Sequence, residues 1–256
     1  MTTNDLKSFL DHKADLYNRP EFIPDDPVSV PHLFHLKEDI EIAGFLTAVI
    51  SWGQRKTIIK NAGKWMALME DSPFDYVMNS SAKDQKNLLS FVHRTFNGED
   101  CQYFIQSLRQ LYQNYGGLEQ AFLYPATAGE MNVKIMLSRL KQRFFESPHL
   151  PRTAKHLPDP MKGSAAKRMN MFLRWMVRKD DRGVDFGLWN RIRMDQLYCP
   201  LDVHSGDAAR KLGLLSRKQN DWKAVEELTG SLRKMDPADP VRYDYALFGI
   251  DIYENL

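Results

Sequence analysis

Lys167 and Asp202 have local surroundings that suit an amine nucleophile and a fixed carboxylate. Gly163-Ser164 supplies a turn residue and an N-cap type, and residues 165–179 then run without Pro or Gly. Lys167 therefore falls in the first turn of a predicted helix. The positive end of that helix dipole, with Lys162 and Arg168 close in sequence, disfavours an ammonium and favours the neutral amine that attacks an electrophile. Lys162 is the alternative nucleophile, five residues earlier. Asp202 follows Pro200 and an extended Leu201, where an N-cap is expected, and Gly213 sits at a C′ position. An Asp there is held as the anion by backbone N–H groups and can face a developing positive charge. The plainer readings are a phosphate-binding surface lysine and a simple helix cap.

The elements that must position this pair are predicted to be helices throughout. Met169, Phe172, Leu173, Met176 and Val177 form one apolar stripe, while Lys167, Arg174 and Arg178 lie on another side. Helices are expected at 4–17, 39–51 (apolar almost all round, hence buried), 57–69, 82–95, 101–115, 118–124 and 133–145. Residues 18–31 hold four prolines and read as an extended connector. A helix at 221–235 turns Trp222, Val225, Leu228 and Leu232 inward, and Asp239-Pro240 pairs an N-cap with Pro at N1 to open the last helix, which runs to about residue 253. No alternating strand pattern and no internal repeat is present. The fold class is all-α.

Composition narrows the possible partners. The chain has 256 residues, 43% apolar and 27% charged, enough for a proper core in one domain or two closely packed lobes. Its longest apolar run, 42–50, is interrupted by Gly44 and Thr47 and is too short for a membrane. The opening MTTNDLKSFLDHKAD has no basic-then-apolar signal pattern, and two cysteines fit a reducing compartment, so the expected location is cytoplasmic. Net charge is +2, but residues 152–193 hold eleven Lys/Arg against four Asp, a local excess of +7. That asymmetry fits an anionic partner, of which nucleic acid is the usual one, or else a solvated helix face.

Residues 163–167 with the helix after them, and Leu201-Asp202-Val203-His204, resemble the hairpin, lysine helix and aspartate motif of the helix-hairpin-helix DNA glycosylase superfamily. The likeness is closest to the 8-oxoguanine DNA glycosylase branch, and covers about 40–65 and 161–253. Tyr245-Ala246-Leu247-Phe248 and Ser51-Trp52-Gly53-Gln54-Arg55-Lys56 add to it. The resemblance implies a two-lobed helical fold with a central cleft. One lobe would be a helical barrel over 38–190, ending in the hairpin and lysine helix; the other would combine 1–37 with 191–256. It implies a monomer acting on double-stranded DNA that contains a damaged base, without cofactor or metal.

Residue roles carried over by the resemblance are these. Lys167 forms a Schiff base with the sugar, and Asp202 stabilises the oxocarbenium-like charge. Phe248 stacks on the flipped base, Asp244 hydrogen-bonds to purine N–H donors, and Met171 covers the other face. Gln54 fills the gap in the duplex, with Arg55 and Lys56 on the flanking phosphates. The amides of Gly163, Ser164, Ala165 and Ala166 bind a phosphate, supported by Arg168, Arg174 and His204. Without the resemblance, Phe248 and Met171 read as core, and Asp244 as a structural ion pair with Arg242 or Lys167. The usual hairpin Gly-x-Gly is Gly163-Ser164-Ala165-Ala166 here, and lysine and aspartate are separated by an insertion, 180–199, expected to pack on the core rather than form a DNA-facing flap. Two other classes stay open: a catalytically silent DNA-binding module, and a metal-dependent hydrolase using His32, His35, Asp202 and His204.

Overall fold

The computed structural model describes residues 2–123 and 132–254. In chain order the helices are α1 (Thr3–Tyr17), α2 (Lys37–Val49), α3 (Arg55–Leu68) and α4 (Pro73–Asn79). A two-stranded hairpin follows, β1 (Val92–His93) and β2 (Phe96–Asn97), then α5 (Gly98–Tyr115), α6 (Leu118–Leu123) and α7 (Val133–Phe144). The last four helices are α8 (Lys167–Val177), α9 (Val203–Lys211), α10 (Trp222–Met235) and α11 (Tyr243–Glu254). The all-α expectation holds. No helix among the described residues is long and apolar enough to cross a membrane.

The chain splits into two compact units, Ile23–Met131 with Met136–Pro158, and Met1–Phe22 with Asn132–Ile135 and Asp159–Leu256. In the first, α2 is buried on every side over 39–49, as its nearly all-round apolar sequence predicts, with the charged Asp39 and Glu41 buried among them. An aromatic core forms beside it, with Phe104 touching Phe45, Trp65, Phe96 and Phe144 at centroid distances of 4.7–6.5 Å. The helix expected over 82–95 is instead a 3₁₀ segment, Asp84–Ser90, followed by the antiparallel hairpin. Its strands are two residues long, too short for alternation to register. They form because Phe91 and Phe96 must both reach Trp65, 5.1 and 5.0 Å away. The connector 18–31 is not extended either. Three of its four prolines open 3₁₀ turns (Pro20–Asp25, Pro27–Ser29, Pro31–Leu33), because a fixed φ suits a first helical position, and Pro24 lies inside the first of them.

In the second unit α1 packs against α11, where a side chain at Gly249 would place its Cβ 2.1 Å from the Tyr17 ring. The insertion 180–199 is packed, as expected. Val184, Trp189 and Ile192 are buried, Phe186 N–H donates to the Trp175 carbonyl at 2.8 Å, and the Trp189 ring meets Phe172 edge-on. The contact boundary falls at 158/159 rather than at 190. The hairpin preceding α8 is held to the start of α10 by the Trp222 N–H···O=C Gly163 bond of 3.0 Å and a Ser164–Asp221 bridge. Lysine helix and aspartate helix therefore share one unit.

Candidate active site

Lys167 is the first residue of α8, at N1 rather than the N3 position a Ser164 cap would give. Ser164 does not cap the helix: its Oγ accepts from Ala166 N–H at 3.2 Å, closing a local turn. The N-cap is Ala166, in the left-handed region at φ 47°, an unusual state for a residue with a Cβ. That kink starts α8 directly at Lys167.

Asp202 is the N-cap of α9, as its sequence setting predicts. Ser205 N–H donates to Asp202 Oδ1 at 3.0 Å, and Asp202 N–H donates to Ser205 Oγ at 3.0 Å, a reciprocal capping box. Gly213 follows the helix at φ 72° as the C′ residue. The second carboxylate oxygen, Oδ2, is left facing Lys167 Nζ at 3.4 Å, and both side chains are about 30% exposed (30% and 27%). Burial works against the Asp202 anion, but the Lys167 ammonium and the Ser205 N–H outweigh it and hold the carboxyl below its usual range. One oxygen is thus spent on structure and the other is presented to the amine.

Behind the pair lies Asp244 on α11, near enough for both Lys167 and Asp202 to act on its charge. It is 7% exposed, and burial pushes its carboxyl up to about 6 against the pull of Arg174 and Lys167. Its ion-pair partner is Arg174 of α8, rather than Arg242 or Lys167. Arg174 Nε also binds Asp185 Oδ1 at 3.2 Å, and its guanidinium lies 4.2 Å from the Tyr245 ring centroid. Asp185 in turn receives Arg178 at 3.1 Å, and Arg178 holds Asp239 at 2.9 Å. Asp239 therefore serves Arg178 and makes no side-chain cap bond at the start of the final segment, contrary to expectation. Met171 is buried on α8, and Phe248 is half-buried on α11, its ring edge-on to Phe22 at 5.9 Å. The two expected faces of a base slot sit on the two helices joined by Arg174–Asp244.

Arg174 and three hairpin amides are corrected as DNA contacts, while the other expected contact residues are located without their role being decided. Arg174 is 4% exposed and committed to two carboxylates, so it does not reach a phosphate. Three hairpin amides are used internally: Gly163 N–H by Pro160 O, Ser164 N–H by Asp159 O, and Ala166 N–H by Ser164 Oγ. Ala165 carries no such bond to the turn but is half-buried. Arg168 is half-buried, and desolvation pulls its guanidinium down to about 10. His204 is exposed, with Nδ1 against Asp251 Oδ2 at 2.6 Å. In the other unit Gln54 is the exposed N-cap residue of α3 without a side-chain cap bond, Arg55 opens the helix, and Lys56 is exposed. Among the described residues no three His, Cys, Asp or Glu side chains converge as a metal site.

Sequence reading alone missed Ser205, Asp185 and Cys199. Ser205 was detectable as the N3 partner of an Asp-x-x-Ser cap. Asp185 gave no signal, since its partners are 7 and 11 residues away in an insertion with no period. Cys199 is buried with Sγ 4.0 Å from Asp244 Oδ1, and burial pushes its thiol well up, so it is inert filling rather than a nucleophile. Chemically, the arrangement offers a primary amine, a fixed carboxylate beside it, and a buried carboxyl behind. That set suits attack on a carbon that gains positive charge. In comparisons with known proteins, residues 26–253 match a family described as a protein of unknown function, DUF2400. No curated protein and no solved structure matches the chain.

Proposed function

We propose that this chain, which belongs to the DUF2400 family, is a DNA glycosylase with lyase activity that removes an oxidised purine such as 8-oxoguanine. The supporting observation is the 3.4 Å approach of Lys167 Nζ to an Asp202 carboxylate whose other oxygen is fixed by its own helix. These residues are 35 positions apart in sequence, and both lie in the pattern that resembles the helix-hairpin-helix glycosylases. Asp202 is held as the anion by Lys167 and Ser205, the state needed to stabilise an oxocarbenium-like sugar.

The reaction divides among the residues as follows. The damaged nucleotide leaves the stack at a cost of about a few kcal/mol. Asp244 accepts N–H donors on the base edge, with Phe248 and Met171 against its faces. As the glycosidic bond breaks, the base leaves with the bonding electrons and takes a proton. Lys167, as the neutral amine, bonds to the sugar carbon and yields an imine after ring opening. β-Elimination from that imine cuts the strand, and hydrolysis returns the lysine. The amine must be unprotonated when it attacks, so its proton passes to solvent while Asp202 stays the anion facing the sugar.

Base release from duplexes containing 8-oxoguanine, measured by product chromatography, tests this reading. Wild type releases the base, and the Asp202→Asn protein does not. Duplex binding without release of any lesion base would leave only a silent DNA-binding module.

A further inference from the structure

The hairpin that replaced an expected helix carries a cation in an unusual place. Arg94 and Thr95 form its tip, between the paired residues His93 and Phe96. Arg94 is exposed and sits at φ 55°, the first central position of the turn, where glycine or asparagine is preferred. Among the described residues no carboxylate pairs with it. Its side chain instead lies over Gly53: a Cβ at that glycine would come within 2.8 Å of Arg94 Nη1 and 3.5 Å of Cδ. Gly53 itself has φ 104° and is exposed, so the loop there is shaped to leave the guanidinium a seat.

Both sides of this contact are rigidly held. His93 Nε2 approaches the Trp52 carbonyl at 3.2 Å, and Nδ1 meets Asn61 Nδ2 at 2.9 Å. Because the Asn61 amide donates, Nδ1 accepts and the proton is on Nε2, which donates to Trp52. The Trp52 ring is edge-on to His93 at 5.0 Å and stacked on buried His156 at 5.8 Å. Arg152 donates from Nη2 to the Thr95 carbonyl at 2.6 Å and from Nη1 to Asn97 Oδ1 at 3.0 Å. Two buried imidazoles and a guanidinium thus lock the hairpin tip against the loop that bears Gln54, Arg55 and Lys56. The charges facing this edge are Arg94, Arg55, Lys56 and Arg152, opposed by Glu99 at 3.9 Å from Arg152 and by buried Asp100.

The geometry points to Arg94 as a phosphate-binding residue for duplex DNA, forming with Gly53–Lys56 one composite edge that grips the backbone. Glycine would serve the turn with less strain; an exposed arginine held there in a left-handed conformation, seated over Gly53 and with no acid paired to it among the described residues, leaves its charge presented to an anion. The inference rests on the glycosylase reading for its duplex partner, but not on Lys167 or Asp202.

Binding of a short duplex bearing a tetrahydrofuran abasic analogue, followed by fluorescence anisotropy at increasing KCl, tests it. Arg94→Gly relieves the backbone while removing the charge, so its melting temperature stays equal to or above wild type. Its affinity falls about three- to tenfold, and the slope of log Kd against log salt drops by about one. Arg94→Lys keeps that slope. Wild-type slope and affinity in Arg94→Gly would overturn the assignment, even if wild type still releases bases and the enzymatic reading stands. Absence of any salt-dependent duplex binding by wild type would remove both. Equal competition by polyglutamate, lost alike in Arg94→Gly, would mark an acidic protein as the partner and overturn the assignment to DNA.

Discussion

Asp202 meets two demands with one carboxylate. Oδ1 satisfies the Ser205 amide at the start of α9, while Oδ2 faces the Lys167 amine. Asn caps a helix about as well as Asp, so Asp202→Asn retains the first function and loses the second. The expected outcome is a folded protein, with stability within about 1 kcal/mol of wild type by urea denaturation, and no base release. Full activity in that variant would contradict the electrostatic role. Asp244 behaves differently, because burial raises its carboxyl to about 6. A carboxyl raised above its unfolded value is most stabilising below that unfolded value, and this contribution is lost as pH climbs through about 6. The base edge needs the ionised form, so base release should rise through that same window while Asp202, shifted the other way, stays charged. In Asp244→Asn the acid limb near pH 6 should disappear from the single-turnover rate profile; an unchanged limb would assign it elsewhere. The Asp202 cap was legible in sequence because Pro200, Asp202 and Gly213 are all local signals. The role of Arg174 was not. Helical spacing placed it beside Lys167, but its partners, Asp185 and Asp244, come from segments that the spacing of one helix does not describe.

At the scale of elements, the insertion 180–199 is a strut. Its Asp185 lies between Arg174 and Arg178, which hold Asp244 and Asp239 on the far side. The short ion pairs run from the insertion through α8 to the final segment, so the placement of the Asp244 carboxylate on α11 depends on a residue outside the recognisable motif. Removing one member of such a buried set leaves charge uncompensated, at a cost of about 3–5 kcal/mol. Asp185→Ala should therefore lose that much in urea unfolding, whereas Asp195→Ala, which breaks only an exposed pair with Arg193, should change it by less than about 1 kcal/mol. Equal losses in the two variants would deny the strut. The long helices were readable because their apolar periods span several turns. The hairpin at 92–97 was not, since its residues commit through ring contacts with Trp65 on α3, a non-local cause. Likewise the connector 18–31 could be read as Pro-rich but not as three 3₁₀ turns.

For the whole molecule, the two units each carry an aromatic core, and the amine, its carboxylate and the buried Asp244 all lie within one of them. The hairpin before α8 groups with the second unit because its Gly163 carbonyl accepts from Trp222 at the start of α10, while the amides of Gly163, Ser164 and Ala166 are spent within their own turn. The basic excess over 152–193 is likewise only partly a surface property, since Arg174 and Arg178 are buried in ion pairs. The central claim is that Lys167 bonds covalently to DNA. Borohydride reduction during turnover of an 8-oxoguanine duplex, read as a protein–DNA adduct on a denaturing gel, measures that bond directly. The predicted result is an adduct with wild type, retained in Lys162→Ala and absent in Lys167→Ala; an adduct of unchanged yield in Lys167→Ala would contradict it.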